Sequence, residues 1–383
     1  DASMERVLHI GKFSSGQLGG IETVVDSFIA GLSPFFEIVK LSANTRFSTE
    51  ISQREAYLEY NVPLAAVLAR TPCCPSMPYH LLKLHKKYKF SLVHLHFPNP
   101  MAHVASFVLP ARVKRIISWH SDIIYQKKAL RYYQPWVDRL LKRVNAVIVA
   151  SSFLAEKSSQ LSIAKQRDVI HYIPYGIDTN FFLADNYQEK IKQLRAQFSQ
   201  CFLVFALGRH VTYKGFTYLI AAMAQLPLDC ILLLGGEGPL TPHLKAQVQR
   251  LHLEQRVHFL GNIEQNKLAA YYHACDVFCL PSIDPNEAFG MVQIEAMACA
   301  KPVISCDINQ DAGQVNQDGV TGLVVPVRSA AWLAKAILRF YNEPQLGRVF
   351  GQAACLYVKE RFTHRLMWQR LKILYEKVLQ KSY

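Results

Sequence analysis

The stretch Val277-Phe-Cys-Leu-Pro-Ser-Ile-Asp-Pro-Asn-Glu-Ala-Phe-Gly-Met-Val-Gln-Ile-Glu-Ala-Met-Ala-Cys-Ala-Lys-Pro-Val-Ile304 decides how this chain is read. Its first four residues form an apolar run stopped by Pro281, which predicts a buried strand. Residues 289–299 carry apolar side chains at helical spacing with no breaker after Gly290, and Pro302 opens a second β-type run. Strand, helix and strand in that order are one repeat of a parallel sheet covered by helices.

Two carboxylates, Glu287 and Glu295, stand eight residues apart around Gly290. With Glu287 at the helix entrance and Glu295 two turns inside, they would lie about 12 Å apart along the axis, at roughly 1.5 Å per residue. That spacing resembles the distance between the hexose and ribose hydroxyls of a sugar nucleotide, whose diphosphate would meet the free N–H groups of the helix N-terminus. The competing reading is a solvated glutamate pair on an amphipathic helix. Against it stand the glycine, which lets backbone approach a ligand closely, and the apolar neighbours of Glu295, among which an unpaired carboxylate is costly.

The same alternation runs through the chain. Strand-type segments are expected at residues 7–10, 36–41, 92–95, 115–118, 146–150 and 169–173, and a second series at 203–207, 230–234, 257–260, 277–280, 302–306 and 322–325. Two series predict two Rossmann-like α/β domains, with the join near the polar stretch at 181–199 and helices alone from 332 to 378. A ligand in such an architecture lies where the C-terminal ends of the strands face a cleft.

At these residues the chain resembles the retaining glycosyltransferases of the GT-B fold, in the large family 4, whose E-x7-E signature is matched by Glu287 and Glu295. The resemblance implies that Glu287, with Ala288, Phe289, Gly290, Met291 and Val292 beside it, contacts the transferred sugar, and that Glu295 holds the ribose. Gly208-Arg-His-Val-Thr-Tyr-Lys-Gly215 is similar to the family's G-R-x-x-x-x-K-G element. Arg209 and Lys214 can converge there on a diphosphate, with a plain surface charge pair as the alternative. Gly235-Gly-Glu-Gly-Pro239 resembles the G-x-G-P loop near the nucleotide base, which assigns Gly236 and Glu237 to the donor. Gly19 and Gly20, at the entrance of the first predicted helix, can aim backbone amides at an anion or simply make a turn; the family has a similar pair beside the donor phosphates.

His120 follows a strand and precedes Ser121-Asp122. By position it is either a structural histidine or a hydrogen-bonding partner of a sugar hydroxyl; the H-S-D-I segment is similar to that of bacterial mannosyl- and related sugar transferases, which implies the second. His94 and His96 alternate on a strand, so one is expected in the core and one at the cleft. The chain departs from the family at Ala300 and at residues 309–313, where glycines are usual. The resemblance implies domains at 4–185 (acceptor), 200–360 (donor) and 361–383, the last a helix crossing back to the first domain.

Charge and cysteine content narrow the function further. The formal net charge is +14, and residues 79–143 hold thirteen Lys and Arg against two Asp. Lys83, Lys86, Lys87, Lys127, Lys128 and Arg131, interleaved with Tyr79, Tyr88, Phe90, Trp119, Tyr132, Tyr133 and Trp136, suit an anionic lipid surface or a lipid diphosphate. An ordinary solvated face and nucleic acid are the alternatives, and no nucleic-acid motif accompanies the charge. No apolar run approaches the roughly 20 residues needed to span a bilayer. Asp1-Ala-Ser-Met4 lacks a signal-peptide pattern and reads as a remnant ahead of Met4. The nine cysteines have no paired metal spacing, apart from an isolated Cys275/Cys279 pair, and are expected as reduced thiols.

No D-x-D pair is present, so no metal and no cofactor beyond a nucleotide-sugar donor is expected. The reading is a hexosyltransferase taking mannose from GDP-mannose to a lipid-linked glycan of O-antigen type, at the inner face of a bacterial cytoplasmic membrane. Its catalytic side chains would be His120, Glu287, Arg209 and Lys214. A UDP-sugar transferase, a sugar-nucleotide epimerase of the same fold and a non-catalytic membrane-binding protein are the other readings. Neither a protein partner nor nucleic acid is expected.

Overall fold

The computed structural model describes residues 4–13, 20–68, 71–123, 127–284, 287, 289–308 and 315–380. Gly19, Ala288 and the departure at 309–313 therefore lie outside the described residues. The chain divides into two units: Asp1–Tyr175 with His364–Tyr383, and Gly176–Thr363.

The first unit is built on an eight-stranded sheet. Its strands are β1 (Arg6–Phe13), β2 (Glu37–Ala43), β3 (Glu50–Gln53), β4 (Leu58–Val62), β7 (Leu92–Phe97), β8 (Lys114–Trp119), β9 (Ala146–Val149) and β10 (Ile170–Tyr172), in the order β10-β9-β8-β7-β1-β2-β4-β3. All pairs are parallel except β3 with β4. A separate hairpin joins β5 (Ala66–Leu68) and β6 (Thr71–Cys73).

Because side chains alternate across a strand, β1 and β7 send different residues to the two faces of the sheet. Leu8, Ile10, Val93, Leu95 and Phe97 enter one apolar cluster with Leu81, Leu84 and Val137. His9, His94 and His96 occupy the other face, where the helix Gly20–Leu32 and the last helix, His364–Gln380, supply Phe28 and Tyr375. The sequence placed one of His94 and His96 at a cleft; both are buried, since two positions apart on one strand they share a face that these helices cover.

The second unit holds a six-stranded, wholly parallel sheet. Its strands are β11 (Phe202–Leu207), β12 (Cys230–Gly235), β13 (Val257–Gly261), β14 (Val277–Leu280), β15 (Val303–Cys306) and β16 (Gly322–Val325), in the order β13-β12-β11-β14-β15-β16. Strands β12, β14 and β15 are buried along their whole length, as expected where helices cover both faces. The polar helix Gln188–Gln197, in the stretch read as the join, belongs to this unit: its Leu194 packs on Ala270 and Ala274 of the helix Gln265–Ala274. Cys230, Cys279 and Cys306 are buried in strands as free thiols. Among the described residues no helix is long and apolar enough to cross a membrane.

The last helix is locked into the first unit by contacts that leave no slack. Trp368 Nε1 donates to the Ser27 carbonyl at 2.9 Å, and a Cβ added to Gly31 would fall 2.1 Å from the Trp368 ring. The indole cannot retreat without losing that bond. Gly31→Ala is therefore expected to destabilise the first unit by about 3 kcal/mol, the upper range for overpacking. Urea unfolding checks this: Gly31→Ala combined with Trp368→Leu should recover part of the loss, and an unchanged midpoint for the single variant would refute the close contact.

Candidate active site

Four loops meet at the C-terminal edge of the second sheet, where parallel α/β sheets carry their ligands. The loops after β11, β12 and β13 are stitched by backbone bonds: Gly208 N to Gly235 O at 3.3 Å, His210 N to Glu237 O at 3.0 Å, and Gly236 N to Gly261 O at 2.7 Å. The approach is so close that a Cβ on Gly236 would lie 2.1 Å from Gly208 O. On the other side, Ile283 N donates to Tyr213 O at 2.8 Å, and Gly215 passes Pro281 in a left-handed conformation (φ 68°) with its Cβ position 2.0 Å from Pro281 O. The motif glycines are thus the price of packing these loops together.

This packing brings Lys214 and Glu287 into contact. Lys214 Nζ lies 2.5 Å from Glu287 Oε2, with the two side chains 10% and 9% exposed, and Ser282 Oγ donates to the same oxygen at 2.7 Å. At this depth each group trades most of its hydration for its partner. Arg209, five positions before Lys214 in the same motif, behaves differently: its side chain is exposed and has no hydrogen bond or ion pair among the described residues. Glu237 is exposed as well, with Asn262 Nδ2 3.3 Å from its Oε2.

The helix after this loop begins later than the sequence spacing implies. Gly290 takes a left-handed conformation (φ 67°), and the helix runs from Met291 to Ala298. Glu287 is therefore a loop residue, and its distance from Glu295 is not a helical rise. A glycine free of the usual steric limits makes the turn that a periodicity count cannot see. Phe289 is buried with its ring 5.8 Å from Phe362, while Met291 and Val292 are half-buried on the first turn. Glu295 accepts a hydrogen bond from the Tyr272 hydroxyl at 2.7 Å. Desolvation pushes the Glu295 carboxyl up to about 7, and the Tyr272 bond pulls in the other direction.

In the first unit Gly20 opens the helix Gly20–Leu32. His120 is 6% exposed, and both ring nitrogens are engaged, Nε2 with His96 Nδ1 at 3.0 Å and Nδ1 with the Tyr175 hydroxyl. It can meet a ligand hydroxyl only by exchanging one of these partners. Burial lowers its pKa to about 3, so the ring is neutral.

The basic region resolves into two helices. Met77–Tyr88 turns Met77, Leu81, Leu84 and His85 inward and leaves Tyr79, Leu82, Lys83, Lys86 and Lys87 exposed. Lys127–Leu141 exposes Arg131, Tyr132, Trp136 and Arg139; the side chains of Lys127 and Lys128 lie outside the described residues. Two of the aromatic residues assigned to this surface from sequence, Phe90 and Trp119, are in the core, as is Arg115, one of the thirteen basic residues counted in 79–143. Arg115 donates to the carbonyls of Val113 and Leu109 at 2.8 and 3.0 Å, so its charge serves chain turns. Among the described residues the one cluster with metal-ligand spacing is His9, His94 and His96; the Cys275/Cys279 pair forms none, and Cys275 Sγ donates to the Tyr272 carbonyl at 3.1 Å.

Tyr272, Tyr175 and Tyr375 were not legible as site residues. Each meets its partner across a long sequence gap, and a tyrosine in an apolar run carries no local signal of its hydroxyl's use.

Residues 188–355 match the family described as "Glycosyl transferases group 1", and residues 18–181 match "Glycosyltransferase Family 4". The O-antigen chain mannosyltransferase C of Escherichia coli is 25% identical over 98% of this chain and 100% of its own length. The D-rhamnosyltransferase WbpZ of Pseudomonas aeruginosa is 29% identical over 71% of this chain and 70% of its own. Among solved structures, the sucrose-phosphate synthase of Thermosynechococcus elongatus superposes with a TM-score of 0.79 at 23% identity, covering 99% and 100% of the two chains. Anabaena HepE in complex with UDP-glucose gives 0.77 at 21% identity, covering 97% and 99%.

The Glu295 carboxyl generates a prediction. Its folded value, about 7, lies above the ordinary 4.5, so between these values the folded chain keeps a proton that the unfolded chain has shed. The stability contributed by this proton is fully present below 4.5 and lost as the pH rises through 7. Glu295→Gln keeps the acceptor for Tyr272 and removes the titration. The melting temperature of Glu295→Gln should gain steadily on that of the unchanged protein from about pH 5 to about pH 8; a gap independent of pH would show that Glu295 titrates normally.

Proposed function

We propose that this chain, which belongs to the glycosyltransferases of group 1 and family 4 and has their GT-B fold, transfers mannose from GDP-mannose to a lipid-linked glycan with retention of configuration. The observation that carries the reading is the Lys214–Glu287–Ser282 cluster at the C-terminal edge of the second sheet. The O-antigen mannosyltransferase of E. coli, similar over the full length, and the His120-Ser-Asp-Ile123 segment favour mannose and an O-antigen or related polysaccharide as product.

Each group has a physical task in this scheme. Glu287 spends Oε2 on Lys214 and Ser282, which leaves Oε1 to accept hydrogen bonds from sugar hydroxyls. Lys214 has three donors and gives one to Glu287, so it can also face a phosphate oxygen. Arg209 adds a second cation from the same loop. Glu295, oriented by Tyr272, accepts from the ribose. The bond from the sugar's C1 to the phosphate oxygen breaks while the acceptor oxygen bonds to C1 on the same face. The acceptor's proton passes to the leaving diphosphate, whose charge Arg209 and Lys214 stabilise. Glu287 positions the sugar and forms no covalent intermediate. The exposed basic and aromatic side chains of Met77–Tyr88 and Lys127–Leu141 hold the enzyme on anionic lipid at the inner face of the cytoplasmic membrane, beside its acceptor.

Thermal unfolding with GDP, UDP, ADP and dTDP, then with their sugar forms, tests the donor. The expected result is selective stabilisation by GDP and a further increment with GDP-mannose that disappears in Glu287→Ala. Preference for UDP would overturn the donor, and no response to any nucleotide would overturn the reading as a whole.

Sedimentation with vesicles tests the surface. A basic residue near an anionic membrane contributes about 1 kcal/mol. Replacing Lys83, Lys86 and Lys87 together by Ala should then weaken binding to phosphatidylglycerol-rich vesicles on the order of a hundredfold, with nucleotide stabilisation intact. Equal binding by the triple variant would remove these lysines from the proposed surface.

A further inference from the structure

The buried histidines of the first unit form one continuous hydrogen-bonded chain. The Tyr175 hydroxyl meets His120 Nδ1, His120 Nε2 lies 3.0 Å from His96 Nδ1, and His96 Nε2 lies 3.4 Å from His9 Nδ1. His9 Nε2 is 2.9 Å from the Tyr375 hydroxyl, which is 2.5 Å from His94 Nδ1. His94 Nε2 closes the series 2.7 Å from Ser118 Oγ. Each ring nitrogen is used once. All four rings turn Nδ1 toward the Tyr175 end and Nε2 toward the Ser118 end.

Three of these rings gather their nitrogens within 4.8 Å, a spacing that raises the question of a metal ion. The surroundings argue against one. Every nitrogen would have to abandon a partner, the cluster contains no carboxylate, and the Lys40 ammonium acts on both His9 and His96 to disfavour positive charge. Burial lowers His9 to about 3 and holds His94 and His96 well below the ordinary histidine range. The chain is therefore a set of neutral imidazoles, each donating from one nitrogen and accepting at the other.

We infer that this chain fixes the tautomer of His120, and that Tyr375, His9 and His96 are positioning residues acting through it. The inference rests on the reading of His120 as a group that meets the ligand. Only two proton arrangements make every link and also spend every donor: all four rings protonated at Nε2, or all four at Nδ1; if His9 Nε2 and His94 Nδ1 both donate to Tyr375, the links survive but that hydroxyl's own proton is left without an acceptor in the chain. The reason is the single proton of Tyr375, which goes either to His94 Nδ1 or to His9 Nε2. Every other mixed arrangement sets N–H against N–H or lone pair against lone pair, and in a dry interior either an unmade hydrogen bond or an unspent donor is costly. Whether His120 Nδ1 offers a ligand hydroxyl a donor or an acceptor is thus decided jointly with Tyr375 on the last helix, which the fold carries into this face of the sheet.

Long-range proton–nitrogen correlation spectra of the intact, histidine-labelled protein read the tautomers directly. In the unchanged protein the four rings should be neutral at about pH 6 and share one tautomer. Tyr375→Phe removes the central hydroxyl, and each ring beside it should turn its N–H to the partner that remains. His94 should then carry its proton on Nε2, and His9, His96 and His120 on Nδ1. Ser118→Ala, a gentler change at the far end, should place all four on Nδ1. Mixed tautomers or an imidazolium among the four in the unchanged protein would overturn the chain.

The functional half is read from hydrolysis of whichever sugar nucleotide best stabilises the protein. Where the unchanged protein shares the Nε2 tautomer, Tyr375→Phe reverses His120 and should slow hydrolysis about tenfold, a loss on the scale of one hydrogen bond, with no further effect in a His120→Ala background; where it shares the Nδ1 tautomer, the variant keeps that of His120 and the rate should hold. The same loss in both backgrounds would mean that Tyr375 merely supports packing, and the positioning role would fall. Full activity of His120→Ala would instead overturn the reading of His120 as a ligand group, and the positioning role with it, while the ring spectra still decide whether the chain exists.

Discussion

The contact between Lys214 and Glu287 is the one on which the second unit's site depends. It joins the loop that follows β11 to the loop that follows β14, and those two strands are neighbours at the centre of the sheet. Two charges with a tenth of their surface in water lose most of their hydration, and they recover it only from each other and from Ser282. Removing either partner leaves an uncompensated ion, so the pair fixes both loops at once. Around it, the close passage of Gly215 against Pro281 belongs to the same arrangement: a Cβ there would push apart the two loops that the ion pair joins.

The first unit satisfies its buried polar groups by a different route. Its central strands carry His9, His94 and His96 on a face with no free surface, and neutral rings bonded to one another avoid the cost of desolvating a charge. Buried charge in the same unit is matched by partners: Lys40 lies 2.7 Å from Asp26 and 3.8 Å from Glu59, which also takes Arg54 at 2.7 Å, and Arg115 donates to backbone carbonyls. The last helix completes both features of this unit, capping the histidine face with Tyr375 and holding the helix Gly20–Leu32 through Trp368. Without its return, two ring nitrogens of the chain, His9 Nε2 and His94 Nδ1, would lack partners.

Most of the strands were legible in the sequence because burial on both faces writes them as short apolar runs. Val277–Leu280 and Gly322–Val325 coincide with the reading, the first strand runs three residues past its expected end, and the other expected strands shift by one or two residues. Glu50–Gln53 and Leu58–Val62 escaped it: the first is polar and half in solvent, and the second mixes Glu and Asn into a buried strand whose charge is absorbed by Arg54 and Lys40. The site was legible only where motif residues are close in sequence. The partners of Glu295, His120 and His94 are 23, 55 and 281 residues away, and no local periodicity encodes such pairings. Arg115 was misplaced on the surface for the opposite reason, since composition registers a charge without the carbonyls that absorb it.

The contrast between the two units has a consequence for the chemistry. A leaving diphosphate develops negative charge, and preorganised cations meet it best where water is scarce; the second unit supplies Lys214 at that depth and Arg209 beside it. A hydroxyl nucleophile or a sugar hydroxyl carries no charge, and a permanent cation facing it would compete for the diphosphate. A neutral histidine held below its ordinary pKa by burial gives such a hydroxyl a directional partner without a charge. On the proposed reading, the division of labour between donor and acceptor halves is therefore already visible as a division between charged and neutral ways of satisfying buried polar groups.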